Sequence, residues 1–267
     1  MSTKKLLLLP ALILPLLMAQ SARAQQPFEG VLTYTIHEAP AAGDIDSEDA
    51  TGGQFNLVLS PELILFDELD RIEDYQPAPM MESSRIYVRL DHKDFVFLQN
   101  ARQGLKVSKS DIVAMMEMME QMRKMQGQAA QDTESGWQTA EEEVRVEATG
   151  ETATIQGYTA AKYVMTNADR PGEVVETWLA RDMNVEWGML AEPWGDSAQK
   201  LFPDNMPLPK LLSEGGIPLL MEQKKDGRIT HRVECTRISK ETIKGSRYEL
   251  PSDVRLQSFQ QMMMGGQ

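Results

Sequence analysis

The chain has one cysteine, Cys235, and three histidines, His37, His92 and His231. With a single thiol no intramolecular disulfide can form, so stability must come from a buried core. No histidine stands near a serine or cysteine in sequence, which leaves little for nucleophilic catalysis. There is no G-x-S-x-G, no H-E-x-x-H, no phosphate-binding loop and no dinucleotide-binding glycine fingerprint. With 40 acidic residues, carboxylate pairs abound, but no spacing singles one out. These absences exclude the familiar catalytic signatures and point to a protein that is not an enzyme and needs no cofactor. After residue 24 the chain also lacks any apolar run long enough to span a bilayer.

The first 24 residues read as a leader. Lys4 and Lys5 form a basic start, Leu6 to Ala19 is a short apolar run, and Ala22-Arg23-Ala24 offers small residues at the −3 and −1 positions. The expected cut follows Ala24, and with no cysteine at the site no lipid anchor is implied. The mature protein is expected in the periplasm or secreted. Losing Lys4, Lys5 and Arg23 leaves 24 basic residues against 40 acidic, a net charge of −16. Nucleic acid and anionic membrane surfaces would repel such a chain. A cationic protein remains possible as a partner of the acidic surface.

What the chain has in excess is methionine, 18 in all. Six fall between Met115 and Met125: Met115, Met116, Met118, Met119, Met122 and Met125. At 100° per residue, Ile112, Met115, Met116, Met119 and Met122 share one helix face, with Met118 and Met125 at its edge. Glu117, Glu120, Gln121 and Lys124 lie opposite. Ser108 with Asp111 resembles a capping box, and Gly127 is a stop, so the spacing predicts a helix over 108–126.

The remainder alternates as strands do. Expected strands cover Phe28–Glu38, Phe55–Leu59, Leu63–Phe66, Arg85–Leu90, Phe95–Leu98, Gly104–Val107, Val144–Ala148, Ala153–Ile155, Ala160–Thr166, Glu173–Ala180, Ile217–Gln223, Arg228–Ser239 and Tyr248–Leu250. Residues 39–53 and 67–84 read as breaks, and 184–213 as an irregular stretch with short helical turns at most. Residues 127–143, with a lone Trp137, read as a mobile linker. Hairpin after hairpin points to an antiparallel meander forming a single domain over 25–255, with 256–267 as a flexible tail.

The second half carries a recognisable order of motifs. Gly157 and Tyr158 precede a strand with Lys162 and Tyr163, and Trp178 sits in the next. Gly216, Pro218 and Leu219 open a late hairpin, and Tyr248, Leu250 and Pro251 close the series. Together with Phe28 and Gly30 at the start, they resemble a bacterial envelope family, domain of unknown function 4412. The resemblance implies the lipoprotein-carrier fold: a mainly β, curved antiparallel half-barrel whose hydrophobic concave face is partly covered by helix. The methionine helix would be that cover. The family brings no catalytic residues.

The methionine face admits three readings. It can fill the core, since unbranched thioethers suit irregular space. It can form a deformable seam, built from Ile112, Met115, Met116, Met119 and Met122, that admits a hydrophobic small molecule, a lipid or a lipidated protein. It can bind Cu(I) through Met115, Met118 and Met122, or buffer oxidation as sulfoxide. His231 and Cys235 share a strand face roughly 13 Å apart, too far for one ion. Asp44, Asp46, Glu48 and Asp49 lack the glycine and glutamate of a calcium loop. The leading expectation is a monomeric, non-enzymatic protein that holds a hydrophobic ligand or lipidated partner between the helix and a curved sheet.

Overall fold

The computed structural model describes residues 27–39, 51–72, 83–112, 114, 144–168, 170–192, 208–213, 215–259 and 261. Twelve strands form one sheet: β1 Gly30–Glu38, β2 Thr51–Leu59, β3 Leu63–Asp67, β4 Arg85–Arg89, β5 Asp94–Asn100, β6 Gln103–Ser108, β7 Val144–Ile155, β8 Tyr158–Asn167, β9 Glu173–Ala180, β10 Ile217–Lys225, β11 Arg228–Lys240 and β12 Arg255–Ser258. Their spatial order is β12-β6-β5-β4-β3-β2-β1-β11-β10-β9-β8-β7. The sheet is curved and does not close, because β12 and β7 end it without pairing to each other; it is a half-barrel. The first and last long strands meet at its centre, where β1 pairs antiparallel with β11.

Alternation explains the two faces of β1 to β6, since successive side chains in a strand point to opposite sides. Antiparallel register places Leu32 opposite Leu57, Leu57 opposite Phe66, and Phe66 opposite Ile86. Ile86 lies opposite Phe97 and Phe97 opposite Leu105, so one apolar row runs across six strands. The parallel row Leu59, Ile64, Val88, Phe95, Val107 runs beside it. We call this side the inner face. On the outer face Val31, Val58, Leu65, Tyr87 and Val96 form a second cluster. Ile243, Tyr248, Leu250, Val254 and Leu256 cover it. That covering strap is tied by the Ile243 N–H, which donates to Glu29 Oε1 at 2.7 Å.

Four differences from the sequence reading have physical causes. The stretches 144–148 and 153–155 are one strand, β7, whose register to β8 shifts between Ala148 and Thr152. Gly150, at φ 81°, lets a bulge absorb the extra residues. Tyr248–Leu250 is a turn rather than a strand, because its side chains are used to cap the outer face. The last strand is Arg255–Ser258, inside what composition marks as a free tail, and it pairs parallel with β6, which a pure meander does not contain. Finally, β2 begins at Thr51, so the break after β1 is shorter than expected.

Two small elements complete the core. A helix at Leu208–Ser213 sends Leu211 into a cluster with Tyr163, Met165, Val175 and Leu179, and Leu212 into the main inner-face cluster. The stretch 181–192 lays Met183, Val185, Trp187, Met189 and Leu190 over the inner face. The Trp187 indole N–H donates to the Gly216 carbonyl at 2.9 Å, which fixes that stretch to the start of β10.

Candidate ligand-binding face

The inner face is sealed at one end and half-open at the other. At the sealed end Leu59, Ile64 and Val88 are fully buried, in one cluster with Trp187, Met189 and Leu190. At the other end Phe55, Phe66, Ile86 and Val233 are only partly buried, although they belong to the same apolar cluster. Ile36, which pairs with Val233, and Met221, which pairs with Val233 in turn, are half-buried as well. The result is an apolar strip that crosses β1 to β4 and β10 to β11.

Tyr34, Cys235 and Thr177 are polar side chains of the described residues that lie deep in this region. Tyr34 is stacked on Phe55, with ring centroids 5.1 Å apart, and donates its hydroxyl to the Pro218 carbonyl at 2.8 Å. Burial holds the Tyr34 phenol well above its ordinary range, with the Cys235 charge adding to the effect. Cys235 is fully buried, and burial pushes its thiol up to about 12. A thiol so placed is an apolar filler rather than a nucleophile or ligand. Thr177, opposite both Tyr163 and Met221, has a buried hydroxyl that makes no hydrogen bond.

The predicted helix starts where the capping box places it. Residues 109–112 and 114 are helical. The Ser108 N–H donates to Asp111 Oδ2 at 2.9 Å, and the Asp111 N–H donates to Ser108 Oγ at 3.1 Å. Lys109 pairs with Glu192 at 2.7 Å, tying the helix start to the 181–192 stretch and holding the Glu192 carboxyl below its usual range. Ile112 is 4% exposed and sits in the main inner-face cluster. Met115, Met116, Met119 and Met122, with Met118 of the copper alternative, lie outside the described residues. The structure therefore brings one predicted site residue, Ile112, onto the inner face.

The other sequence candidates do not converge. His231 and Cys235 share the inner side of β11, but His231 is exposed and faces Glu38, whereas Cys235 is buried opposite Tyr34. His92 contacts Asp91 at 3.3 Å in an exposed turn. Among the described residues no three His, Cys, Asp or Glu side chains are grouped to hold a metal ion. No helix among them is long and apolar enough to cross a membrane. Sequence reasoning missed the half-open strip of Phe55, Phe66, Ile86 and Val233. Its alternation was visible, but which end the loops would cover was not.

On the outer side of β8 to β11 the chemistry reverses. Glu176 receives Lys224 at 2.9 Å and Lys162 at 3.0 Å, and Glu222 pairs with Arg232 at 3.0 Å. This is a charged, wetted surface. A shallow cavity of about 200 Å³ opens where Gly30 meets Lys240, lined by Phe28, Tyr158, Asp182 and Met183 among others. Lys240 lies 5.2 Å over the Tyr158 ring there.

The described residues form an open β half-barrel whose inner face is apolar and partly exposed. The chain belongs to the family Domain of unknown function (DUF4412), whose model matches residues 103–254. No curated protein matches it. Among solved structures, PNGF-II is similar at 12% identity and a TM-score of 0.43, over 88% of this chain and 32% of that one. An uncharacterized conserved protein from Thermus thermophilus is similar at 8% identity and a TM-score of 0.35, over 86% of this chain and 91% of that one. The Pseudomonas aeruginosa MucA/MucB complex contains a chain similar at 10% identity and a TM-score of 0.37, over 87% of this chain and 59% of that one. The chain thus spans about a third of PNGF-II.

Proposed function

We propose that this protein is a non-enzymatic envelope protein, periplasmic or secreted, that holds a hydrophobic ligand or the lipid of a modified partner against the inner face of its half-barrel. The observation that carries the reading is the half-open apolar strip, Phe55, Phe66, Ile86 and Val233, continuous with a sealed core. A strip of this kind is costly to leave wet, at about 25 cal/mol per Å² of apolar surface. An acyl chain gains about 0.8 kcal/mol per buried methylene, so ten methylenes supply about 8 kcal/mol, enough for micromolar binding. Ile112, at the start of the helix, sits in the inner-face cluster, and Met115, Met116, Met119 and Met122 follow it in sequence at helical spacing. Thioether side chains repack around ligands of different shape.

The test is direct. The mature chain, residues 25–267, is purified gently from a bacterial periplasm, and native mass spectrometry is run beside an organic extract of the same sample. A co-purifying lipid or fatty acid is expected. In a binding assay with that lipid, Met116→Glu together with Met119→Glu is expected to abolish binding. Unchanged binding by the folded double variant would overturn the assignment of the face.

A further inference from the structure

The half-barrel has a long strand at one edge. Among the described residues β7, Val144–Ile155, pairs with β8 alone and ends the sheet. The other end is β12, only four residues long. A strand at an edge presents a row of N–H and C=O groups that a further strand can take up. The bulge between Ala148 and Thr152 interrupts that row and leaves two regular runs, Val144 to Ala148 and Thr152 to Ile155. The second run carries no charge, and the first carries Arg145 and Glu147 on either side of Val146.

The first run complements itself. Arg145 lies opposite Thr166 and Glu147 opposite Val164, so both stand on the outer side of the sheet, the side that carries Glu176. Their side chains are 68% and 67% exposed, and the contact between them is 4.0 Å long. Val146 faces the other way, opposite Met165, and packs against the cluster that holds Tyr163 and Leu211. A second copy of the run, laid antiparallel about a two-fold axis at Val146, sets Arg145 opposite Glu147 of the second copy, and Glu147 opposite its Arg145. Val146 then meets Val146, so the outer side stays charged and the other side apolar. Moving the axis by one residue keeps the faces continuous but sets Arg145 against Arg145, or Glu147 against Glu147. Opposite charges directly across a sheet stabilise it and like charges destabilise it. Within 144–148 charge therefore selects one register.

We propose that the β7 edge, over Val144 to Ala148, pairs with the same edge of a second copy of this chain, antiparallel about Val146, and joins two half-barrels into one continuous sheet. The occupant is a second copy because both Arg–Glu contacts arise from one sequence by symmetry, as a two-fold interface requires. Five residues a side bury less than the roughly 1,200 Å² of a stable interface, so the dimer is a reversible one. The sequence reading expected a monomer; the pairing becomes visible only once β7 is placed last in the sheet. β7 stands outside the half-open strip, so the pairing does not rest on the ligand-binding reading.

Sedimentation velocity over a concentration series tests it, with residues 25–267 compared with Arg145→Glu, Glu147→Arg and the double reversal. Both side chains are exposed, so the fold tolerates the changes. The expected result is a concentration-dependent dimer, weakened about tenfold by each single reversal and restored to within about threefold by the double one. A monomer at every concentration up to about 1 mM would overturn the proposal. A dimer indifferent to the single reversals, or not restored by the double one, would overturn the assigned edge. Cysteine cross-linking checks the register separately. Cys235 is buried, so a thiol introduced at the edge is the accessible one. Val146→Cys places two copies of the residue about 4.5–5.5 Å apart between Cα atoms, within disulfide range. Ala148→Cys leaves its pair roughly 14 Å apart. Mild oxidation is expected to give a covalent dimer of the first variant and not of the second. Equal cross-linking of both, or of neither, would overturn the register and the proposal with it.

Discussion

Tyr34 donates its hydroxyl to the Pro218 carbonyl at 2.8 Å, joining the first strand to the start of the tenth across 184 residues of sequence. The bond lies inside the core, and its acceptor has no water to turn to. Tyr34→Phe should therefore cost about 1–3 kcal/mol, the range for leaving a buried carbonyl unpaired. Chemical denaturation with an unchanged m-value would measure it. A loss below about 0.5 kcal/mol would mean that the carbonyl finds another donor.

The same neighbourhood sets the alkaline limit. Burial raises Tyr34 and pushes the Cys235 thiol up to about 12. The unfolded chain gives up these protons first, so the folded state binds more protons as the pH climbs. Stability from this source is complete below the unfolded thiol value of about 8.5 and falls as pH rises toward 12. Cys235→Ala should flatten the loss between pH 9 and 11 in denaturation curves. A thiol reagent should label Cys235 only on unfolding; rapid labelling of the native protein would contradict its burial.

Gly216 is held at φ 85°, and a Cβ there would come 2.5 Å from the Ala180 carbonyl oxygen. Its own carbonyl accepts the Trp187 indole. Gly216→Ala combines left-handed strain with a backbone clash and should cost about 2 kcal/mol or more. It should also loosen the 181–192 cover, so that apolar-dye fluorescence rises before global unfolding.

Ser108→Ala removes half of a reciprocal cap and should cost about 1 kcal/mol. The loss should be local first: amides at 109–112 should exchange faster while those of β1 and β11 are unchanged. Uniform acceleration across the sheet would show instead that the helix start is needed for the whole core.

Burial alone would raise the Glu176 carboxyl, but hydrogen bonds from Lys224 and Lys162 outweigh it and hold the group below its ordinary range. Its contribution is present above the unfolded value of about 4.3 and is lost as pH falls through the folded one. These pairs are half-buried but stay in contact with water, and solvent screening keeps each to about 1 kcal/mol or less. Glu176→Gln should weaken the acid dependence of stability slightly and reduce its sensitivity to salt. An unchanged acid limb would remove Glu176 from the account.

Much of this architecture was written in local patterns. Period-two alternation placed Leu32, Leu57, Phe66, Ile86 and Phe97 on strands, and Ser108 with Asp111 announced a helix start that the structure reproduces bond for bond. A second box, Ser258 with Gln261 at 3.0 and 3.2 Å, was equally readable from its spacing, but the polar and methionine-rich composition around it masked the signal. Tyr248 misled for the opposite reason: its strand-like neighbours are used to cover the outer face rather than to pair.

By itself the sequence determined most of the strands and the turns between them, though not β12 or the turn at Tyr248, because side-chain periodicity and turn chemistry act over a few residues. Only the tertiary structure decided that β1 pairs with β11, that β12 closes the edge of β6 in parallel, and that the inner face is sealed by Trp187 at one end yet half-open at Phe66 and Ile86. Those outcomes depend on contacts between residues far apart in sequence. Several alternative pairings would satisfy the same local alternation, and the competition is settled by which one buries the most apolar surface without stranding a backbone hydrogen bond.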